Sequence, residues 1–183
     1  MRVIFKKLFL LMGHPFLILY NSRILRTNGS IKITFKGLQG MEIRLMSIED
    51  YDIVNQLWKS TQGMGMRSLD DSFEGIKKFF KRNPTTNFVA QVENNIVGVI
   101  LCGHDGRRGY IYHTAVNIDY RGRGIGRALV NTVVKALKKE EINKVSLVVF
   151  SSNDLGNNFW QALGFDKRDD LIYRNLIINE RNI

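Results

Sequence analysis

The chain has 183 residues, of which 44% are hydrophobic and 24% charged, the balance of a globular domain with enough length to bury one sizeable core. A single cysteine, Cys102, excludes an intrachain disulfide and fits a reducing, cytoplasmic compartment, and no Cys/His cluster offers a zinc site, so no metal is expected. The net charge of +10 raises the question of nucleic acid, but seven basic residues and no acid lie in residues 1–40, which leaves 20 basic against 17 acidic residues from Met41 onward; no nucleic-acid partner is therefore expected.

Residues 1–40 differ in kind from the rest. Leu8 to Tyr20 is apolar but broken by Gly13-His14-Pro15, too short for a spanning helix, which needs roughly 20 apolar residues. The start is basic, as in a signal peptide, without a clear small-residue cleavage pattern. Residues 21–40 show no sustained period. Met41-Glu42-Ile43-Arg44-Leu45 then reads as a fresh first strand. The expected organisation is a domain over 41–183 preceded by a non-domain extension over 1–40, either an over-called start or a dispensable piece. Contact with a membrane surface is expected only through that basic, apolar extension.

From Met41 the elements follow in order. Ser47 is a suitable N-cap, and Ile53, Val54, Leu57 and Trp58 fall at helical spacing. A methionine-glycine loop, Gly63 to Met66, separates this helix from a second one that starts at Ser72, carries Phe73, Ile76, Phe79 and Phe80 on one face, and stops at Asn83-Pro84. Asn87–Val92 and Ile96–Gly103 read as a hairpin turning at Glu93-Asn94-Asn95, and Tyr110–Ile118 as a third antiparallel strand. Ile125, Ala128, Leu129, Thr132, Val133, Ala136 and Leu137 form one helix face. Lys144–Phe150 reads as a buried strand, Asn153 as the cap of a last helix ended by Gly164, and Phe165–Arg168 with Leu171–Ile177 as a closing hairpin.

Between the third antiparallel strand and the long helix lies Tyr120-Arg121-Gly122-Arg123-Gly124-Ile125-Gly126-Arg127. A helix N-terminus presents unpaired N–H groups and positive dipole, and glycine lets backbone approach a ligand closely, so this turn is expected to hold a phosphate group. The dinucleotide fingerprint fails, because the last glycine it requires falls on Arg127, and the P-loop fails because no Gly-Lys-Ser/Thr follows Gly126.

What remains, Arg121-x-x-Gly124-x-Gly126 after a strand ending at Val116, resembles the acetyl-CoA loop of the GNAT N-acetyltransferase superfamily. The order β-α-α-β-β-β-α-β-α-β-β, an α/β mixed sheet, is similar to that fold, and the resemblance extends to Asn153 and to Phe159-Trp160-Gln161-Ala162-Leu163-Gly164-Phe165, covering nearly all of 41–183. It implies an enzyme that takes acetyl-CoA as co-substrate and passes the acetyl group to a primary amine of a small molecule or peptide by direct attack. It implies that backbone N–H groups of Arg121, Gly122, Arg123, Gly124, Ile125 and Gly126 bind the pyrophosphate, with Arg121, Arg123 and Arg127 available to add charge, that Thr114 and Val116 hold the pantetheine arm through main-chain atoms, that Asn153 contacts that arm, and that the Val116 amide serves as the oxyanion donor. It also admits a homodimer, since dimers are common in such folds.

Many relatives carry a tyrosine in the last helix as general acid; here that position is Trp160, whose indole N–H does not serve as an acid. This departure motivates an alternative, a non-catalytic acetyl-CoA-binding module or sensor. By period two, Tyr110 and Tyr112 share a face with Thr114 and Val116 and are the candidates for proton handling, with aromatic packing as the plainer role. His113 falls on the opposite face, where a packed histidine is expected. Asp70, Asp71 and Glu74 are available to attract a cationic amine or simply to face solvent.

Overall fold

The computed structural model describes residues 40–183 in full, together with the backbone of two short strands before them, β1 (Arg23–Thr27) and β2 (Ser30–Thr34). The apolar run Leu8–Tyr20 lies outside the described residues. Then follow β3 (Met41–Leu45), α1 (Tyr51–Lys59), α2 (Phe73–Arg82), β4 (Phe88–Val92), β5 (Asn95–His104), β6 (Gly109–Val116), α3 (Ile125–Lys139), β7 (Val145–Ser146) and α4 (Asp154–Gln161). Single 3₁₀ turns, Ile48–Asp50 and Ile118–Tyr120, lead into α1 and into the glycine loop.

The strands lie in one sheet in sequence order, antiparallel throughout except for the parallel pair β6 and β7. The pairing of β2 with β3 draws residues before Met41 onto the sheet edge, where lack of a sustained period had suggested no strand; edge pairing runs through backbone groups and needs no side-chain alternation. Both faces of the central strands are buried. Ile43, Ala90, Ile100 and Ile111 pack against Ile125, Leu129 and Val133 of α3, while Val89, Val99, Leu101 and Ala115 pack against Val54, Trp58 and Ile76 of α1 and α2.

Local signals account for the helix ends. The Ser72 hydroxyl accepts from Gly75 N–H at 3.1 Å, and the Asn153 side chain accepts from Gly156 N–H at 2.9 Å. Glu93 and Asn94 take positive φ in the two-residue turn between β4 and β5, as the hairpin requires.

Two expectations are corrected here. Lys144–Phe150 yields a ladder only at Val145–Ser146, after which the chain leaves β6. The closing hairpin, 165–168 with 171–177, does not form: no strand is present in residues 165–183. Apolar content predicts a strand only where an edge is available to pair with, and a two-residue β7 supplies almost none. The segment instead remains exposed and is tied down at its end, where Ser68 N–H donates to Ile183 O at 2.7 Å and Asn182 Nδ2 to Asp70 Oδ2 at 2.7 Å.

Candidate active site

The turn from β6 to α3 is built on two glycines in the left-handed region, Gly122 at φ 73° and Gly124 at φ 82°, the latter capping α3. The first helical bond runs from Ala128 N–H to Gly124 O at 3.0 Å. The six N–H groups from Gly122 to Arg127 have no partner among the described residues. They sit at the positive end of a 15-residue helix, whose last turn holds Lys138 and Lys139. A Cβ on Gly126 would lie 3.0 Å from the Phe159 ring, so only glycine leaves this backbone open. Such a cradle fits a diphosphate.

The three arginines brace the turn. Arg121 Nε donates to Val116 O at 3.0 Å, Arg123 Nη2 to Asp119 O at 2.9 Å with its guanidinium over the Tyr120 ring, and Arg127 Nη2 to Ala162 O at 3.4 Å. Each keeps further N–H groups free to add charge.

Beside the turn, β6 offers an open edge. β7 pairs only with Gly109 and Tyr110, so Ile111–Val116 has no strand on that side among the described residues. Asn117 N–H donates inward to Val97 O at 2.9 Å; antiparallel alternation then turns the N–H groups of Val116 and Thr114 outward, toward the open edge. The Thr114 hydroxyl is buried with no partner there. A cleft of about 1300 Å³ opens where Leu147–Phe150 diverge from β6, and it takes in Thr114, Asn153 and Trp160. An extended arm carrying amide groups fits this edge. Trp160 packs edge-on between Phe159 and Phe165, with ring centres 4.9 and 5.0 Å away.

The facing of the β6 side chains differs from simple alternation. Cys102 pairs with Ile111 and Ile100 with Thr114, so Tyr112 and His113 together oppose one residue, Leu101, in a β-bulge. Tyr110 before it and Tyr112 within it lie on the α2 side, Tyr112 edge-on to Phe79 at 5.4 Å and 4.9 Å from Tyr110. After it, Val116 packs with α3. The tyrosines therefore do not share a face with Thr114 and Val116, although the cleft reaches Tyr110, Tyr112 and Thr114 alike. Burial pushes both phenols above their ordinary value, with smaller effects from Tyr173 on Tyr110 and from Cys102 and Asp70 on Tyr112.

The bulge also turns His113 to the tyrosines' side, against expectation. Its Nε2 lies 2.7 Å from Asp71 Oδ1, and its ring is 5.1 Å from the Trp58 ring. Sequence reasoning missed this pair: 41 residues intervene, and no motif links them. Only the run Ser68-Leu69-Asp70-Asp71-Ser72 before α2 marks a polar turn.

The fold and the site together define an N-acetyltransferase scaffold. AAC(6')-Iy, in complex with the bisubstrate analogue CoA-S-monomethyl-acetylneamine, superposes with a TM-score of 0.62 at 17% identity, over 76% of this chain and 99% of that one. The ribosomal-protein-alanine N-acetyltransferase of Brucella melitensis biovar Abortus gives 0.58 at 19% identity, over 76% and 100%. Both share the fold. An acetyltransferase of Sodalis glossinidius is 33% identical over 132 residues, 72% of this chain and 92% of that protein. The model of the acetyltransferase (GNAT) family matches residues 51–165. The chain belongs to this family and is an N-acetyltransferase.

Proposed function

We propose that the protein transfers the acetyl group of acetyl-CoA to a primary amine of a small molecule or peptide by direct attack. The observation that carries this reading is the row of six unpartnered N–H groups, Gly122 to Arg127, at the start of α3. These groups would hold the pyrophosphate, Thr114 and Val116 would line the pantetheine arm, and Asn153 would reach it from the cap of α4. The outward N–H of Val116 suits the oxygen of the tetrahedral intermediate. The coenzyme, when bound, supplies the thioester; the protein's part is to orient it and manage protons.

The proton ledger favours a limited role for the phenols. A coenzyme thiol has an ordinary value of about 8.5, and phenols held above 10 keep their protons more tightly. Tyr110 or Tyr112 would therefore stabilise the departing thiolate by donating a hydrogen bond rather than by complete transfer. Trp160, packed between two phenylalanines, takes no part as an acid.

The acceptor is a matter of the cleft. Asp71 is committed to His113 and to Arg67 N–H, and Asp70 to Asn182, so their pull on a cationic amine is reduced. The exposed apolar residues Leu171, Ile172, Tyr173, Leu176, Ile177 and Ile178 support a homodimer. No helix among the described residues is long and apolar enough to cross a membrane.

Calorimetry with acetyl-CoA, followed by free-thiol release against a panel of primary amines, tests the reading. Heat of binding and amine-dependent release are expected; binding without amine-dependent release would favour the sensor alternative that Trp160 raises, and no binding would refute both.

A further inference from the structure

Resting on the transferase reading, the geometry points to His113 as the general base that takes the proton of the acceptor ammonium, with Asp71 as its positioning residue. The pair is built. Asp71 Oδ2 accepts from Arg67 N–H at 2.6 Å, and its carbonyl accepts from the Tyr51 hydroxyl at 2.9 Å, so the carboxylate is held before His113 meets it. Both side chains are nearly buried, at 11% and 9% exposure. The Trp58 ring backs the imidazole. A carboxylate on Nε2 fixes the proton there and leaves Nδ1 as the acceptor, the same logic by which an aspartate orients a catalytic histidine.

Nδ1 of His113 has no hydrogen-bond partner among the described residues, and it is not sealed off, as Nδ1 of His104 is. The residue lines the cleft with Thr114, Tyr110 and Tyr112. The bulge is what brings it there. In a regular strand His113 would face α3 beneath the sheet; the extra residue turns it to the α1–α2 side, next to the open edge where the thioester would lie. Asp71 sets a charged group against the imidazole and α1 sets the neutral Trp58 ring there, while the Tyr51 hydroxyl donates to the Asp71 carbonyl.

The protons balance. His113 Nδ1 takes one from the ammonium, and the freed amine attacks the carbonyl carbon as the C–S bond breaks. The second proton, from the new amide nitrogen, goes to the thiolate through water, and His113 returns its own to solvent.

The test compares wild type, His113→Gln and Asp71→Asn with the turned-over amine of the panel, from about pH 6.5 to 9. In His113→Gln, kcat/KM is expected to fall about 10²–10⁴-fold near neutral pH, while acetyl-CoA affinity by calorimetry stays unchanged. The deficit should shrink about tenfold per pH unit as the amine loses its proton in solution, a trend that mere structural damage would not produce. Asp71→Asn should show a smaller deficit with the same trend, and it stands in if His113→Gln does not fold. A deficit independent of pH, or none, overturns the assignment while leaving the transferase reading intact. Coenzyme binding with no release from any amine in wild type overturns both.

Discussion

At Gly126 the physical demand on the site is sharpest. A Cβ here would lie 3.0 Å from the Phe159 ring, and its absence keeps the start of α3 bare. A larger side chain must displace that ring or cover the N–H groups beside it. Gly126→Leu is therefore expected to weaken acetyl-CoA at least about tenfold by calorimetry, with far-ultraviolet circular dichroism unchanged. The turn built by the glycines at 122, 124 and 126 was legible because each does a local job, turning the chain or opening it. His113 was not legible. Its facing depends on which residue of β5 it opposes, and that is a property of two strands at once.

Among the elements, the end of the β4–β5 pair away from its turn rests on buried asparagines. Asn87 Oδ1 accepts from Cys102 N–H at 3.1 Å, its Nδ2 donates to Asn83 O at 2.6 Å, and Asn83 Oδ1 accepts from His104 N–H at 2.9 Å. Asn87→Ala strands a buried N–H, and a loss of about 1–3 kcal/mol is expected in urea unfolding. A second element-level device is Asp50, which joins β3 to the start of α1 through two bonds of 2.7 Å from Arg44. Burial works to raise its carboxyl, but the bonds from Arg44 and from Ser47 N–H bring it below the ordinary 3.8. A depressed carboxylate contributes stability that is full above its unfolded value and lost as pH falls through the folded one. Thermal unfolding should thus lose stability below about pH 4, and Asp50→Asn should flatten that loss. The helices and the β4–β5 turn were legible from caps, apolar spacing and positive-φ residues. The closing hairpin was misread because Leu171–Ile177 has strand composition, whereas β7, the strand before it in the chain, ends after two residues.

For the whole molecule, two apolar layers enclose the central strands, and Cys102 lies between them. Burial pushes its thiol up to about 12, so the native protein should not react with a thiol reagent at neutral pH, and one equivalent should appear on denaturation. Free-thiol assays of turnover would then read coenzyme alone.

The sequence by itself determined the family, the glycine turn before α3 and the helices around it, because caps, left-handed glycines and apolar stripes act within a few residues of the chain. Only the tertiary structure decided where β6 bulges, that Asp71 meets His113, that β7 ends after two residues and that the apolar tail stays unpaired. Those outcomes follow from register and from the supply of free edges, which are settled between segments far apart in the chain.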